Sequence, residues 1–286
     1  TKGLANRHGE YLQTIPTLKH FCANNTENER GTASSDVDMR TLNEYYYAAF
    51  ERPITCGGAY SVMVAYNELS GVPAVINPDI QKVLKDRWGL GFVVTDGGDF
   101  SQNVTFHKYS ESHAETLALA IKNGTDVMTD CEDVVEAAVF EALNSGLVSE
   151  KDIDKALYNS LLARFRLGEF DEKHPFSDVC EMMIDNEEHK CLNRRAALEQ
   201  MVLLRNSDIL PIYDECSVAV VGMNGNCNLM DWYTGYSSYN TTIFDGIKER
   251  YGKAEYDNAC DHIVIKSKLT GKYLGVADDD TVSAIY

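Results

Sequence analysis

The sequence predicts an α/β fold: part of a barrel of parallel strands, followed by an α/β sandwich and the start of a β-rich module. Short β-branched runs alternate with longer helical patterns in the first part, which is typical of βα units and a parallel sheet. Polar residues also follow each predicted strand, as they do in barrels whose functional groups sit at the carboxyl ends. A smaller open sheet is the alternative interpretation.

The predicted barrel segment covers residues 1–168 and contains about four βα units, whereas a complete (β/α)8 barrel needs eight units and about 250 residues. We therefore expect the N-terminal half of the barrel to be missing from this sequence. The predicted strands are residues 13–21, 61–66, 91–96 and 125–129. The predicted helices are residues 38–51, 78–88, 113–122, 132–144 and a last one from a capping box at Ser149 and Asp152 to about Gly168.

The remaining sequence divides into three parts. Residues 169–185 are a charged linker, and residues 186–260 contain a helix to about Leu204 and a β-branched strand at 217–222, as expected for the start of an α/β sandwich domain. In residues 261–286, two short apolar runs at 263–266 and 273–276 flank Thr270 and Gly271, which predicts a β-hairpin.

Composition excludes several classes of function. A formal net charge of −18 would repel nucleic acid, and it suits a neutral substrate such as a sugar. No apolar run approaches the roughly 20 residues of a membrane span. The eight cysteines form no C-x-x-C pair, so we expect a reduced, cytoplasmic protein without a zinc site. No other metal or cofactor is indicated.

Four motifs follow one another in the sequence: Lys19-His20-Phe21 with Asn28, Glu29 and Arg30 downstream, a strand and helix within residues 62–89, a strand that ends at Asp96, and residues 196–211. Together they resemble glycoside hydrolase family 3, the β-glucosidase and β-xylosidase family. Residues 17–30 resemble its Lys-His-Phe segment with downstream Asn, Glu and Arg, and residues 62–67, 71–73 and 88–89 resemble the next strand and helix. Residues 91–96 resemble the strand that ends in the nucleophile. Residues 196–206 with Leu210 and Pro211 resemble the entry to the family's second domain, and residues 261–276 resemble the start of its fascin-like β-trefoil insert.

The resemblance implies a retaining mechanism in which a carboxylate attacks the anomeric carbon and forms a covalent glycosyl-enzyme. Asp96 occupies the nucleophile position, although an Asp after a strand is also a common helix or loop cap. The matching sugar-binding positions are Lys19, His20 and Arg30. Adjacent strand residues face opposite sides, so Lys19 and His20 both reach the site only if the strand bulges.

Other polar and apolar residues near these motifs have less specific interpretations. Tyr66 is placed to donate to Asp96, or else closes the barrel top. Met63 packs near the sugar or in the core, and His107 lines the site or is an exposed loop histidine. Asp99 and Asp130 are loop residues to which the sequence assigns no role.

The sequence departs from the family at two places. Residues 97–100 read Gly-Gly-Asp-Phe, where the family often has Trp-Gly or Cys-Gly-Ala, and this loop shapes the leaving-group side. The general acid/base, usually a Glu in the second domain, has no convincing counterpart before Tyr286. We therefore expect these 286 residues to be inactive alone.

The sequence favours an exo-acting β-glycosidase that releases terminal xylose or glucose from oligosaccharides, with a modest preference for xylose. One alternative is a non-catalytic or degenerate carbohydrate-binding protein. Another is a lyase in which Lys19 forms a Schiff base, because a lysine at a barrel strand end suits that chemistry.

Overall fold

The structure is a computed structural model that describes residues 1–212, 216–231, 233–235, 237, 239–260, 265–276 and 282–285. Residues 274–276 and 282–285 are described by their backbone alone. The described chain divides into two compact units, Thr1–Leu192 and Asn193–Tyr286. The predicted domain boundaries stay a prediction.

The described strands alternate with helices up to the strand Phe92–Val94, and six helical segments then follow one another before the next strand. The strands are β1 (Thr17–Phe21), β2 (Ser34–Ser35), β3 (Ser61–Val64), β4 (Glu68–Leu69), β5 (Val72–Pro73), β6 (Phe92–Val94), β7 (Val218–Val221), β8 (Ala254–Asp257), β9 (Tyr273–Val276) and β10 (Val282–Ile285). The helical segments are Lys2–Ala5, Met39–Thr41, Leu42–Tyr46, Ala48–Thr55, Ala74–Ile76, Ile80–Arg87, Asp99–Thr105, His113–Lys122, Glu132–Asn144, Glu150–Leu167, Glu181–Met183, Glu187–Gln200, Met223–Asn226 and Ile243–Tyr251. The α/β class is confirmed.

The main sheet of the first unit has the order β1-β3-β6, and all of its pairings are parallel. Thr17 pairs with Ser61, which pairs with Phe92, so the three strands begin and end nearly level. Parallel strands in level register bring their carboxyl ends to one edge. That edge carries the residues described in the next section.

The fourth predicted strand, residues 125–129, is reduced to one parallel bridge between Val94 and Val127. The segment still follows β6, because Thr95 N–H donates to the Val127 carbonyl and Thr129 N–H donates to the Thr95 hydroxyl. A side chain thus replaces part of the backbone ladder. The first strand also begins later than predicted, at Thr17, directly after Pro16, which has no N–H to donate.

Local signals in the sequence located the helix ends well. The helices His113–Lys122 and Glu132–Asn144 have the predicted bounds. Ser149 and Asp152 form the predicted capping box, and Gly168 ends that helix with a φ of 78°, a conformation that glycine adopts without strain. The helix after the linker ends earlier than predicted, at Gln200.

The core of the first unit lies between the sheet and its helices. Val62, Val64 and Val93 have no exposed surface, and Phe21 stacks on Tyr47 with ring centroids 5.3 Å apart. Burying each of these side chains stabilises the fold by about 1.5–3 kcal/mol. A second cluster around Phe100 and Leu117 packs the later helices together.

A buried ion pair joins the sheet to two helices. Lys85 Nζ lies 2.6 Å from Asp126 Oδ2, and the same carboxylate accepts hydrogen bonds from Val93 N at 2.8 Å and Asn159 Nδ2 at 2.9 Å. Burial lowers the pKa of Lys85, while the charge of Asp126 acts in the opposite direction. The carboxylate is therefore satisfied by strand β6 and by two helices at once.

The second unit contains a smaller parallel pair, β7 with β8, and the helix Ile243–Tyr251. Antiparallel strands β9 and β10 follow, and Lys266 forms an antiparallel bridge with Tyr273 across the predicted turn. Of the predicted hairpin, residues 263 and 264 lie outside the described residues, as does the beginning of the predicted trefoil segment at 261 and 262. Among the described residues, the helices are all too short or too polar to cross a bilayer.

The substitution Lys85→Ala is expected to lower the free energy of unfolding by about 3–5 kcal/mol, because it leaves a buried carboxylate without its cation. Urea denaturation of the full-length protein, monitored by circular dichroism, measures the decrease in the free energy of unfolding. Arg40→Ala is the matched control: it removes the cation of an ion pair with Glu44 whose side chains are 83% and 64% exposed, and should cost under about 1 kcal/mol. Equal losses in the two variants would contradict this assignment.

Candidate active site

A bulge in β1 brings two neighbouring residues to the carboxyl edge of the sheet. Leu18 pairs with Val62 and Phe21 with Val64, so Lys19 and His20 together face the single residue Met63 of β3. Two residues opposite one is the definition of a β-bulge, and it redirects the side chains of the bulged strand. The bulge that Lys19 and His20 need in order to reach the same site is therefore present.

His20 contacts Asp96, the residue at the predicted nucleophile position. Nε2 of His20 lies 2.9 Å from Oδ2 of Asp96, although the ring N–H is not aligned for a hydrogen bond. The two side chains are 28% and 22% exposed. Motif reasoning assigned His20 to sugar hydroxyls alone, and the contact with the carboxylate depends on the bulge.

Asp96 lies two residues after the end of β6 and is held by a hydrogen bond from its own loop. Its Oδ1 accepts a hydrogen bond from Gly97 N at 2.7 Å, and Gly98 N donates to the Thr129 carbonyl at 2.9 Å. Gly98 has a φ of 75°, which a side chain would strain. The loop therefore turns sharply behind Asp96 and leaves about a fifth of its side chain accessible.

Tyr66, at the exit of β3, contacts the same loop. Its hydroxyl donates to the Gly97 carbonyl at 2.7 Å, and the carboxylate of Asp96, its predicted partner, lies close enough to influence the phenol. Burial, and then the neighbouring charge of Asp96, raise the pKa of Tyr66 to about 12. The phenol therefore stays protonated and remains a donor at physiological pH.

Arg30 lies over the ring of Tyr66, with its guanidinium carbon 4.2 Å from the ring centroid. The same guanidinium pairs with the carboxylate of Glu27. A cation over an aromatic face is attracted by the ring, so the stack and the ion pair together fix Arg30 near the site. Met63 is half-buried within β3, and Lys19 is exposed at the bulge.

Asp99 and Asp130 form a second acidic group beside the site, for which the sequence gave no role. Asp99 is 2% exposed, and its Oδ2 has no hydrogen-bond partner in the part of the chain that the structure describes. Burial, and then the charges of Asp96 and Asp130, raise the pKa of Asp99 well above its usual range. Asp130 is held by Ser101 N, which donates to its Oδ2 at 2.9 Å. The sequence did contain a signal for this acidic group, because Asp96, Asp99 and Asp130 all follow two neighbouring predicted strands.

The side chain of His107 has no exposed surface, so the expectation of an exposed loop histidine is wrong. Its Nδ1 lies 3.1 Å from Glu68 Oε1, and its Nε2 lies 2.9 Å from the Tyr66 carbonyl oxygen. Nothing in the local sequence predicted these partners, because they are 39 and 41 residues away along the chain.

The assembled site is a partly exposed carboxylate with an imidazole at its side and a phenol and guanidinium behind its loop. Such a group can attack an electrophilic carbon or accept hydrogen bonds from a polar ligand. In the described ranges, no three His, Cys, Asp or Glu side chains converge in a way that would hold a metal ion.

Comparisons with known proteins point to glycoside hydrolases. A beta-xylosidase of Formosa agariphila is 31% identical over 284 residues, which cover 91% of this chain and 39% of that protein. A probable exo-1,4-beta-xylosidase of Aspergillus clavatus is 30% identical over 244 residues, or 81% of this chain and 31% of that protein. No family model matches the chain.

Solved structures give the same class. A GH3 exo-beta-xylosidase in complex with a xylobiose aziridine probe superposes with a TM-score of 0.82 at 26% identity, over 92% of this chain and 36% of that one. A β-glucosidase of Erythrobacter marinus superposes with a TM-score of 0.81 at 26% identity, over 95% of this chain and 38% of that one. The resemblance to glycoside hydrolase family 3 is confirmed, and the chain spans 31% and 39% of the length of the two curated relatives described above.

The substitution Asp99→Asn is expected to stabilise the protein at pH 7 relative to the unchanged protein, and the gain should vanish below about pH 4. The folded-state pKa of Asp99 is raised, so the contribution of its neutral form is fully present below the unfolded pKa, near 3.9, and is lost as the pH rises through the folded pKa. Urea denaturation at several pH values measures the difference.

Asp154→Asn, on an exposed turn of the helix Glu150–Leu167, changes the net charge by the same amount and serves as the control. If Asp99→Asn destabilised the protein at pH 7 and not at pH 4, the folded protein would favour the ionised carboxylate, and the raised pKa of Asp99 would be wrong.

Proposed function

We propose that this chain carries the nucleophile of a retaining exo-β-glycosidase that releases terminal xylose or glucose from oligosaccharides and other β-glycosides. The observation that carries the proposal is the partly exposed carboxylate of Asp96 at the carboxyl edge of three parallel strands, 2.9 Å from His20. A carboxylate in that place can attack an anomeric carbon and form a glycosyl ester as the bond from that carbon to the leaving-group oxygen breaks. Water then hydrolyses the ester, which frees the sugar and restores the carboxylate.

In this proposal His20, with Lys19, binds the hydroxyls of the sugar, and Arg30 and Tyr66 keep the loop behind Asp96 in place. Imidazole and ammonium groups supply the donors that vicinal hydroxyls need. Contacts to the 2-hydroxyl that strengthen in the transition state speed the reaction. Met63, opposite the bulge, borders the sugar with its apolar side chain.

Xylose is the sugar that the relatives favour. The Formosa and Aspergillus proteins are named as xylosidases, as is a xylan 1,4-beta-xylosidase of Xylanibacter ruminicola that is 31% identical over 277 residues. The β-glucosidase structures keep glucose as the second possibility. The loop Gly97–Asp99 departs from the family pattern on the leaving-group side, so the aglycone preference is expected to be this protein's own.

The finer architecture is part of the same proposal. Residues 1–168 correspond to the C-terminal half of a (β/α)8 barrel, residues 186–260 to the start of the α/β sandwich domain, and residues 261–286 to the start of a fascin-like insert. We further propose that the general acid/base belongs to sequence outside these 286 residues. The chain alone is then expected to leave unactivated β-xylosides intact, because a poor leaving group needs a proton.

Covalent labelling tests the nucleophile. The full-length protein is treated with 2-fluoro-β-xyloside and 2-fluoro-β-glucoside that carry activated leaving groups, and the adduct is located by peptide mass spectrometry. The fluorine slows release of the intermediate, and the good leaving group makes the acid unnecessary. We expect a glycosyl adduct on Asp96, formed faster with the xyloside.

Asp96→Asn is expected to abolish the adduct and to lower turnover by more than about a thousandfold, the scale seen when an enzyme loses its nucleophile. Asp154→Asn is the control and should label at the normal rate. An adduct on another carboxylate, or a folded protein that neither sugar labels, would refute the proposed role of Asp96. A borohydride-trapped adduct on Lys19 would indicate the lyase instead.

A further inference from the structure

The buried pair of Glu68 and His107 lies next to the candidate active site and has no role in the chemistry proposed above. His107 has no exposed side-chain surface, and Glu68 is 17% exposed. Burying an imidazole and a carboxylate is costly unless each polar atom finds a partner. Both ring nitrogens do: Nδ1 meets Glu68 Oε1 at 3.1 Å and Nε2 meets the Tyr66 carbonyl at 2.9 Å.

The chemistry of these partners fixes where the protons are. A backbone carbonyl only accepts, so Nε2 must carry a hydrogen and donate to Tyr66. Nδ1 then faces a carboxyl group, and the contact is favourable only with a second proton between Nδ1 and Oε1. The geometry therefore suits a hydrogen bond between Nδ1 and Oε1 in addition to the one between Nε2 and the Tyr66 carbonyl.

The pair also joins the loops that follow the three sheet strands. His107 lies beyond the helix Asp99–Thr105, in the loop that begins at Asp96. Glu68 belongs to β4, which pairs with β2 after the first strand, and Tyr66 is the exit of β3. A change at this pair therefore reaches the nucleophile loop through the Tyr66 backbone.

We propose that Glu68 and His107 are positioning residues of the nucleophile: they hold the loop after Asp96 against the Tyr66 backbone, and so keep the Tyr66 hydroxyl on Gly97 and its ring against Arg30. The catalytic part of this inference rests on the proposed glycosidase function. The mechanical part, that the pair anchors the loop, does not.

The first test measures labelling of Asp96 by the activated 2-fluoro-β-xyloside in full-length variants. Glu68→Ala and His107→Phe, which fills the buried space without a donor, are each expected to lower the labelling rate at saturation about tenfold, with little change in the half-saturating concentration. The double variant should be no slower than His107→Phe alone, because that substitution already removes the contact with Glu68. Glu68→Gln should restore most of the rate, since its amide donates to Nδ1 while Nε2 still donates to Tyr66.

The second test does not depend on chemistry. Amide hydrogen exchange in peptides covering residues 100–110 is expected to be about tenfold faster in His107→Phe than in the unchanged protein, since a loosened loop opens more often. Glu169→Gln, in an exposed ion pair with Arg164, is the control and should change neither exchange nor labelling.

Losses that multiply in the double variant, or a Glu68→Gln variant as slow as Glu68→Ala, would overturn the positioning role. Unchanged exchange in His107→Phe would overturn the anchor itself. If the unchanged protein is not labelled at Asp96, the proposed glycosidase function fails, and the exchange experiment still decides whether the pair anchors the loop.

Discussion

The structure of the candidate site depends on one constraint, the level parallel register of β1, β3 and β6. Because all three strands run in the same direction, their exits meet at a single edge, and residues far apart in sequence become neighbours. Apolar contacts hold this register: Val62, Val64 and Val93 are completely buried within the sheet. A slip by one residue would turn these side chains to the opposite face, so the same burial that stabilises the sheet also fixes the site.

Departures from regular backbone geometry place the functional side chains at the carboxyl edge of the sheet. The bulge in β1 directs His20 toward Asp96, and the left-handed Gly98 turns the following loop back so that Asp99 enters the interior. A regular strand would have placed Lys19 and His20 on opposite faces. Regular βα geometry alone would therefore not place Lys19, His20 and Asp99 where they lie.

Buried polar groups hold the elements around the site together. Asp126 accepts bonds from a strand and two helices, and His107 bridges two loops. Each polar group loses its hydrogen bonds to water when it is buried, and only protein partners at the right distance replace them. These contacts therefore specify one arrangement of the loops.

The sequence by itself determined the α/β class, the helix ends with local caps, the strand exits and the motif that marks Asp96. These features rest on periodicity, on capping and on residues close together in the chain, which a linear pattern contains. Only the tertiary structure decided that His20 touches Asp96, that Tyr66 donates to Gly97, and that His107 is buried. The reason is physical: these contacts join segments 31 to 76 residues apart, and their distances follow from packing between strands and loops, which no local pattern encodes.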